Sequence, residues 1–169
     1  MPSLAESHKW MVDKCNADNV GYSQDYRYQQ TVNGITYYDC SSMIWYALLA
    51  GGFDVVGASG SSYAFTTRSM GAVLEALGFT KLPALVEWQM GDIVWRTGHT
   101  EMVFVPDITM GAHTDSYALA DQVSINKYNA TKSSWEYVYR YGEIIPDNPE
   151  PDTPNTRKKM PLWMMCRGF

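Results

Sequence analysis

The chain has 169 residues, of which 46% are hydrophobic and 18% charged, with a net charge of −5 and a pI near 5.1. That is enough chain for one domain with a sizeable core, and too apolar for disorder over most of its length. The acidic balance argues against nucleic acid and anionic membrane as partners, because both are held by an excess of lysine and arginine.

Met1 to Glu6 has neither a basic n-region nor an apolar h-region, and no run approaches transmembrane length. The expectation is a protein made in a cytoplasm that needs outside help to leave it. Ser3 and Glu6 form a capping-box pattern, and Leu4, His8, Met11, Val12 and Cys15 follow at helical spacing, which predicts a helix over 4–16. On that stripe Cys15 reads as packing, and His8 as a buried histidine with a hydrogen-bond partner. A polar, tyrosine-rich loop over 19–37 then delivers the chain to Tyr38-Asp39-Cys40-Ser41-Ser42. From Cys40 on, apolar residues at 43, 44, 47 and 48 mark one helix face, and Gly51-Gly52 stops it.

Residues 53–62, rich in glycine and serine, read as a surface loop. Thr66 or Thr67 then caps a third helix with Met70, Val73, Leu74 and Leu77 on its face, ended by Gly78. Short β-branched or aromatic runs at 91–96, 99–105, 110–113, 122–125 and 135–141, separated by turn residues, predict an antiparallel sheet. Helices followed by strands give an α+β domain over residues 1–145. Residues 146–157 are rich in proline, aspartate and asparagine and read as a linker or extended wrap. The apolar segment 160–169 fits a final strand, an interface with another copy, or the start of a further wall-binding region.

The chemistry centres on Cys40. A thiol in the first turn of a helix faces unpaired backbone N–H groups and the positive end of the dipole, both of which favour thiolate. The cysteines at 15, 40 and 166 lie too far apart to signal a disulfide framework or a thiolate zinc site. A thiolate nucleophile needs a base, and the sequence offers His8, His99 and His113. His99 opens a strand after a Thr97-Gly98 turn. Alternation places it with Glu101, Val103 and Val105, a face expected to pack on the Cys40 helix, and Thr100, Met102 and Phe104 on the other. With Pro106-Asp107 at the hairpin tip, His99 falls opposite His113, which is placed to orient the His99 ring. A slip of one residue would bring Thr114 or Asp115 into consideration instead.

Asp39-Cys40-Ser41-Ser42 opening a helix, followed by Gly91-Asp92-Ile93-Val94, Gly98-His99-Thr100 and Gly111-Ala112-His113, resembles the NlpC-type and CHAP-type papain-like cysteine peptidases of the cell wall. Tyr22-Ser23-Gln24-Asp25-Tyr26-Arg27 makes the bacteriophage peptidoglycan amidase and endopeptidase branch the nearest, the branch of phage lysins and tail-associated lysins. The resemblance covers about residues 4–130. It implies a papain-like fold, peptidoglycan as substrate, Cys40 as nucleophile, His99 as base and then acid, and His113 as orienter. It also implies release across the host membrane with holin help, or carriage on the virion. Tyr22 matches a tyrosine that contacts substrate or helps hold the oxyanion. The chain departs from the family at Glu101, where glycine is frequent two residues after the histidine. Asp39, Ser41, Trp95 and Glu101 are taken with Tyr22 as candidate substrate contacts, and Trp88 and Tyr26 as further aromatic walls. No metal or cofactor is expected. Two alternatives remain: a zinc hydrolase with Cys40, His99 and His113 as ligands, and an inactive wall-binding or virion structural module of the same fold.

Overall fold

The computed structural model describes residues 1–126 and 131–146. Ser3 starts α1 (Leu4–Asn16) by accepting a hydrogen bond from the Glu6 N–H at 3.2 Å. The first two N–H groups of the helix, those of Leu4 and Ala5, donate to the Glu143 carboxylate at 2.7 and 3.2 Å. A carboxylate from the far end of the domain thus satisfies donors that have no partner within the helix.

The stretch expected as loop between α1 and the cysteine helix contains three short strands, β1 (Val20–Tyr22), β2 (Thr31–Val32) and β3 (Ile35–Tyr38). They form a separate small sheet in the order β1-β3-β2, with β1 and β3 parallel. It leads directly into α2 (Cys40–Ala50), whose capping box is complete. Asp39 Oδ1 accepts from the Ser42 N–H at 2.7 Å, and Ser42 Oγ accepts from the Asp39 N–H at 2.9 Å.

A one-turn helix, α3 (Val55–Ser59), lies within the expected glycine- and serine-rich loop, and α4 (Met70–Ala76) follows. Ser69, not Thr66 or Thr67, is the cap residue of α4, and its side chain turns back to hydrogen-bond Thr66. The main sheet has six strands in the order β4-β9-β5-β6-β7-β8, every pair antiparallel. They are β4 (Thr80–Pro83), β5 (Ile93–Arg96), β6 (His99–Val105), β7 (Ile108–Ala112), β8 (Val123–Ile125) and β9 (Tyr137–Arg140). A short helix, α5 (Leu119–Gln122), precedes β8. The domain is therefore α+β, with β4 an edge strand additional to those expected. The linker expected over 146–157, apart from its first residue, and the segment 160–169 lie outside the described residues.

One face of the sheet carries the main core. Leu4, Met11 and Cys15 of α1 and Met43, Ile44, Ala47 and Leu48 of α2 pack with Ile93, Met102, Phe104, Met110 and Ile125. Val103, by contrast, joins Val94, Val138, Trp88 and Trp135 in a smaller cluster. Met102 and Phe104 of β6 belong to the core shared with the helices, whereas on the His99 face Val103 packs with Trp135 and only Val105 packs against the main core. His8 is buried on α1, where its Nε2–H donates to the Phe104 carbonyl at 2.8 Å and burial lowers its pKa.

The N-terminus of α1 and the C-terminus of α2 touch at Gly51. Its carbonyl accepts from the Ser3 N–H at 2.7 Å, and a Cβ built there would run into Ser7 Oγ and would lie 2.5 Å from the Ser3 carbonyl oxygen. A backbone atom cannot yield as a side chain does, so Gly51→Ala is expected to cost about 1–3 kcal/mol, the usual penalty of overpacking. A urea unfolding midpoint equal to that of the parent chain would refute this.

Candidate active site

The site is built where the start of α2 meets the start of β6. Cys40 is the first residue of α2 and is largely buried. Asp39, its N-cap, is locked from two sides: Oδ1 accepts from Ser42 N–H and, at 3.2 Å, from Ser41 Oγ–H, while Oδ2 accepts from Arg27 Nε–H at 2.5 Å. Arg27 is only 8% exposed. Its remaining N–H groups go to Ser41 Oγ at 3.0 Å and to the carbonyls of Ala64 at 3.1 Å and Phe65 at 2.6 Å. The planar, five-donor fork of arginine suits this arrangement, in which one cation ties the helix cap, the next residue and a distant loop together. Burial pulls the Arg27 pKa down, and the hydrogen bond and charge of Asp39 more than restore it.

His99 opens β6 across a two-residue turn from Arg96. Its Nε2 lies 2.9 Å from Glu101 Oε1. A carboxylate only accepts, so the ring proton is on Nε2, which leaves Nδ1 as the nitrogen for the Cys40 thiol. The ring also stacks on Trp135, with centroids 5.7 Å apart. Burial by itself lowers the His99 pKa. Hydrogen bonds to Cys40 and Glu101, and their charges, outweigh that and raise it to about 9.

The β6–β7 hairpin pairs Met102 with Met110 and Val103 with Thr109, the register expected from a tip at Pro106-Asp107, with a bulge between Val103 and Val105. His113, one residue past β7, lies on the His99 side, but the two imidazoles are joined through a third group. Glu101 Oε1 takes both His99 Nε2 and His113 Nδ1, the latter at 3.0 Å. The other ring nitrogen of His113 faces the Ser124 carbonyl at 3.0 Å. Glu101 and the Ser124 carbonyl are both acceptors toward this ring. Glu101 Oε2 accepts from the Thr109 hydroxyl and, at 2.6 Å, from Asn126 Nδ2–H. Burial alone would raise the Glu101 pKa, but the two imidazoles hold it far below the usual carboxylate range. Gly111 lies against it, a built Cβ there coming 3.3 Å from Glu101 Cγ.

Several expectations drawn from the sequence change here for physical reasons that the geometry supplies. Glu101 borders the cleft but is only 4% exposed, with both oxygens engaged by the histidines, Thr109 and Asn126. Asp39 and Ser41 are committed to Arg27 and the helix cap. Trp95 is away from the thiol: its indole N–H donates to the Thr67 carbonyl at 2.8 Å, and it borders a different depression with Arg68, Lys81 and Tyr139. Trp88 is core, and Tyr26 is an exposed ring on Tyr37. Tyr22 does lie near the thiol, where the charges of Cys40, Asp39 and Asp115 add to burial in raising its pKa. Thr109 and Asn126 join the site with no motif of their own to announce them, and Arg27, the last residue of the Tyr22-Ser23-Gln24-Asp25-Tyr26-Arg27 stretch, joins it through the helix cap.

Above Glu101 opens a cleft of about 460 Å³, bordered by His99 and Trp135 on one side and by His113, Thr114 and Tyr117 on the other. The side chain of Gln122 ties the Tyr117 wall to β1, with Oε1 accepting from the Tyr22 N–H at 3.0 Å and Nε2 donating to the Tyr117 carbonyl at 3.0 Å.

Because the folded chain raises the His99 pKa from 6.5 to about 9, it binds that proton more tightly than the unfolded chain does. The stabilisation is complete below about pH 6.5 and is lost as pH rises through about 9. The urea midpoint is expected to fall across that window, and Glu101→Gln, which removes the charge facing the ring, to flatten the fall. Parallel pH profiles for the two proteins would contradict this.

No curated protein sequence matches the chain. A family model described as bacteriophage peptidoglycan hydrolase matches residues 4–148, which include α1, the cysteine helix and every strand of both sheets. The chain belongs to this family of bacteriophage peptidoglycan hydrolases.

Proposed function

We propose that the chain cleaves an amide bond of bacterial peptidoglycan by a cysteine–histidine mechanism of the papain-like, NlpC/CHAP type. The observation that carries this reading is that the Cys40 side chain lies close enough to His99 to help raise its pKa, while Nε2 of the same ring is held by Glu101. Nucleophile, base and orienting group follow one another in contact, the order that acyl transfer needs.

The Cys40 thiolate attacks the amide carbonyl, and the C–S bond forms as the carbonyl electrons move to oxygen. The N–H groups of Cys40 and Ser41, in the first turn of α2, have no intrahelical acceptor and are donors for that oxyanion. The His99 imidazolium then gives its Nδ1 proton to the leaving amine as the C–N bond breaks. Neutral His99 next takes a proton from water, which attacks the thioester and frees Cys40. Through both steps Glu101 keeps Nε2 protonated and the ring in place, while His113, Thr109 and Asn126 hold the carboxylate. Tyr22, near the thiol, is an aromatic available for substrate contact.

The bond cut is either the N-acetylmuramoyl-L-alanine amide or an amide within the stem peptide. Mass spectrometry of digested muropeptides separates them: intact stems with a free L-alanine amine mark an amidase, and shortened stems an endopeptidase.

A zinc-dependent reading has one observation in its favour: ligand atoms of His99, Glu101 and His113 lie within 4.8 Å of one another. Cys40 is outside that trio, which alters the ligand set expected from sequence. The carboxylate is also already satisfied by two imidazoles, a hydroxyl and an amide. Purified cell walls distinguish the readings. Cys40→Ala is expected to reduce clearing by at least about 10³-fold, as for loss of other nucleophiles, with an unchanged thermal melt. Excess chelator is expected to leave the parent activity intact. Clearing by Cys40→Ala together with loss in chelator would establish the metal mechanism instead.

A further inference from the structure

Arg96 ends β5 and is paired in register with His99. Its guanidinium lies 5.2 Å from the centroid of Trp135, the same indole on which His99 stacks, and it borders the cleft above Glu101. Two other arginines near the sheet are spent on carboxylates: Arg27 on Asp39, and Arg140 on Asp92 at 2.7 Å. Among the described residues Arg96 has no carboxylate within ion-pair distance. The amide-cleaving steps make no use of it.

We propose that Arg96 is a specificity-determining residue that binds a carboxylate of the peptidoglycan stem peptide, an inference resting on the wall-hydrolase reading of the same cleft. Stacking on the indole limits the rotamers of the long side chain while its N–H groups, in the guanidinium plane, stay open for a bidentate carboxylate. Stem peptides carry free carboxylates, and a chain of net charge −5 gives a polyanionic wall little general attraction, so a cation at the cleft edge is where an acidic substrate is held. Opposed residues in an antiparallel pair have Cα atoms about 4.5–5.5 Å apart. The carboxylate therefore belongs to a substrate residue close to the scissile amide, not to a distant part of the wall.

The test uses a synthetic stem peptide with free carboxylates and the same peptide with carboxamides. Calorimetric binding to the Cys40→Ala chain is compared with binding to the same chain also carrying Arg96→Gln, and hydrolysis is followed with Cys40 present. We expect the carboxylate peptide to bind about tenfold more tightly, a difference typical of one charge-assisted contact. Arg96→Gln should bring the two peptides to equal affinity and raise KM for the carboxylate peptide with little change in kcat. Equal or undetectable binding of both peptides to the Cys40→Ala chain, or a preference that survives Arg96→Gln, overturns the proposal. If the Arg96-dependent preference is present but no peptide is cut, the hydrolase reading fails and the carboxylate site stands. If peptides are cut without any preference, the reverse holds.

Discussion

A single buried carboxylate organises the His99 side of this sheet. Glu101 sits in mid-strand at a depth where a lone charge is strongly disfavoured, and it is stable there because four groups donate to it. Two of the four are imidazoles. Together they hold the Glu101 pKa low, and the carboxylate in return helps to raise that of His99. Space for the side chain comes from Gly111 on the neighbouring strand, where any Cβ would press on Glu101. The bulge between Val103 and Val105 adjusts the hairpin toward its tip while the paired Met102 and Met110 keep the register near the site.

The thiol is positioned by a different device. Arg27 reaches from the loop between β1 and β2 to the cap of α2 and to the carbonyls of Ala64 and Phe65, so the start of the helix is braced by chain on both sides of it. The thiol on a helix and the imidazole on a strand are both carried by rigid elements, and precision in a site depends on such support. The main core then fixes helix against sheet, through Met43, Ile44 and Leu48 on one side and Met102 and Met110 on the other.

The parts of this arrangement that can be read from sequence are those with a local signature. The Asp39-Cys40-Ser41-Ser42 start followed by apolar residues at helical spacing locates α2, and the turn before His99 locates β6. The hairpin register follows from Pro106-Asp107. Strands of two to four residues, such as β2 and β4, carry too little periodicity to announce themselves, and the parallel pairing of β1 with β3 joins segments with no shared pattern. Glu101 is visible as a departure from family habit, but its role depends on Thr109, His113 and Asn126, brought together only by the sheet. Arg27 closes the Tyr22-Ser23-Gln24-Asp25-Tyr26-Arg27 stretch, but its position beneath the helix cap depends on Asp39, Ala64 and Phe65, which only the fold brings together. Of the apolar residues on the His99 face, Val105 packs against the main core, while Val103 is taken by the cluster of Trp88 and Trp135.

The hydrogen bonds from Leu4 and Ala5 to Glu143 bring residues 4 and 143 to one place. The chain between them is in effect a closed ring interrupted at a single point. A short connector between its ends would complete that ring, and new termini could then be opened in an exposed turn far from the thiol, giving a circular permutant in which the carboxylate that caps the first helix comes from the preceding segment of chain.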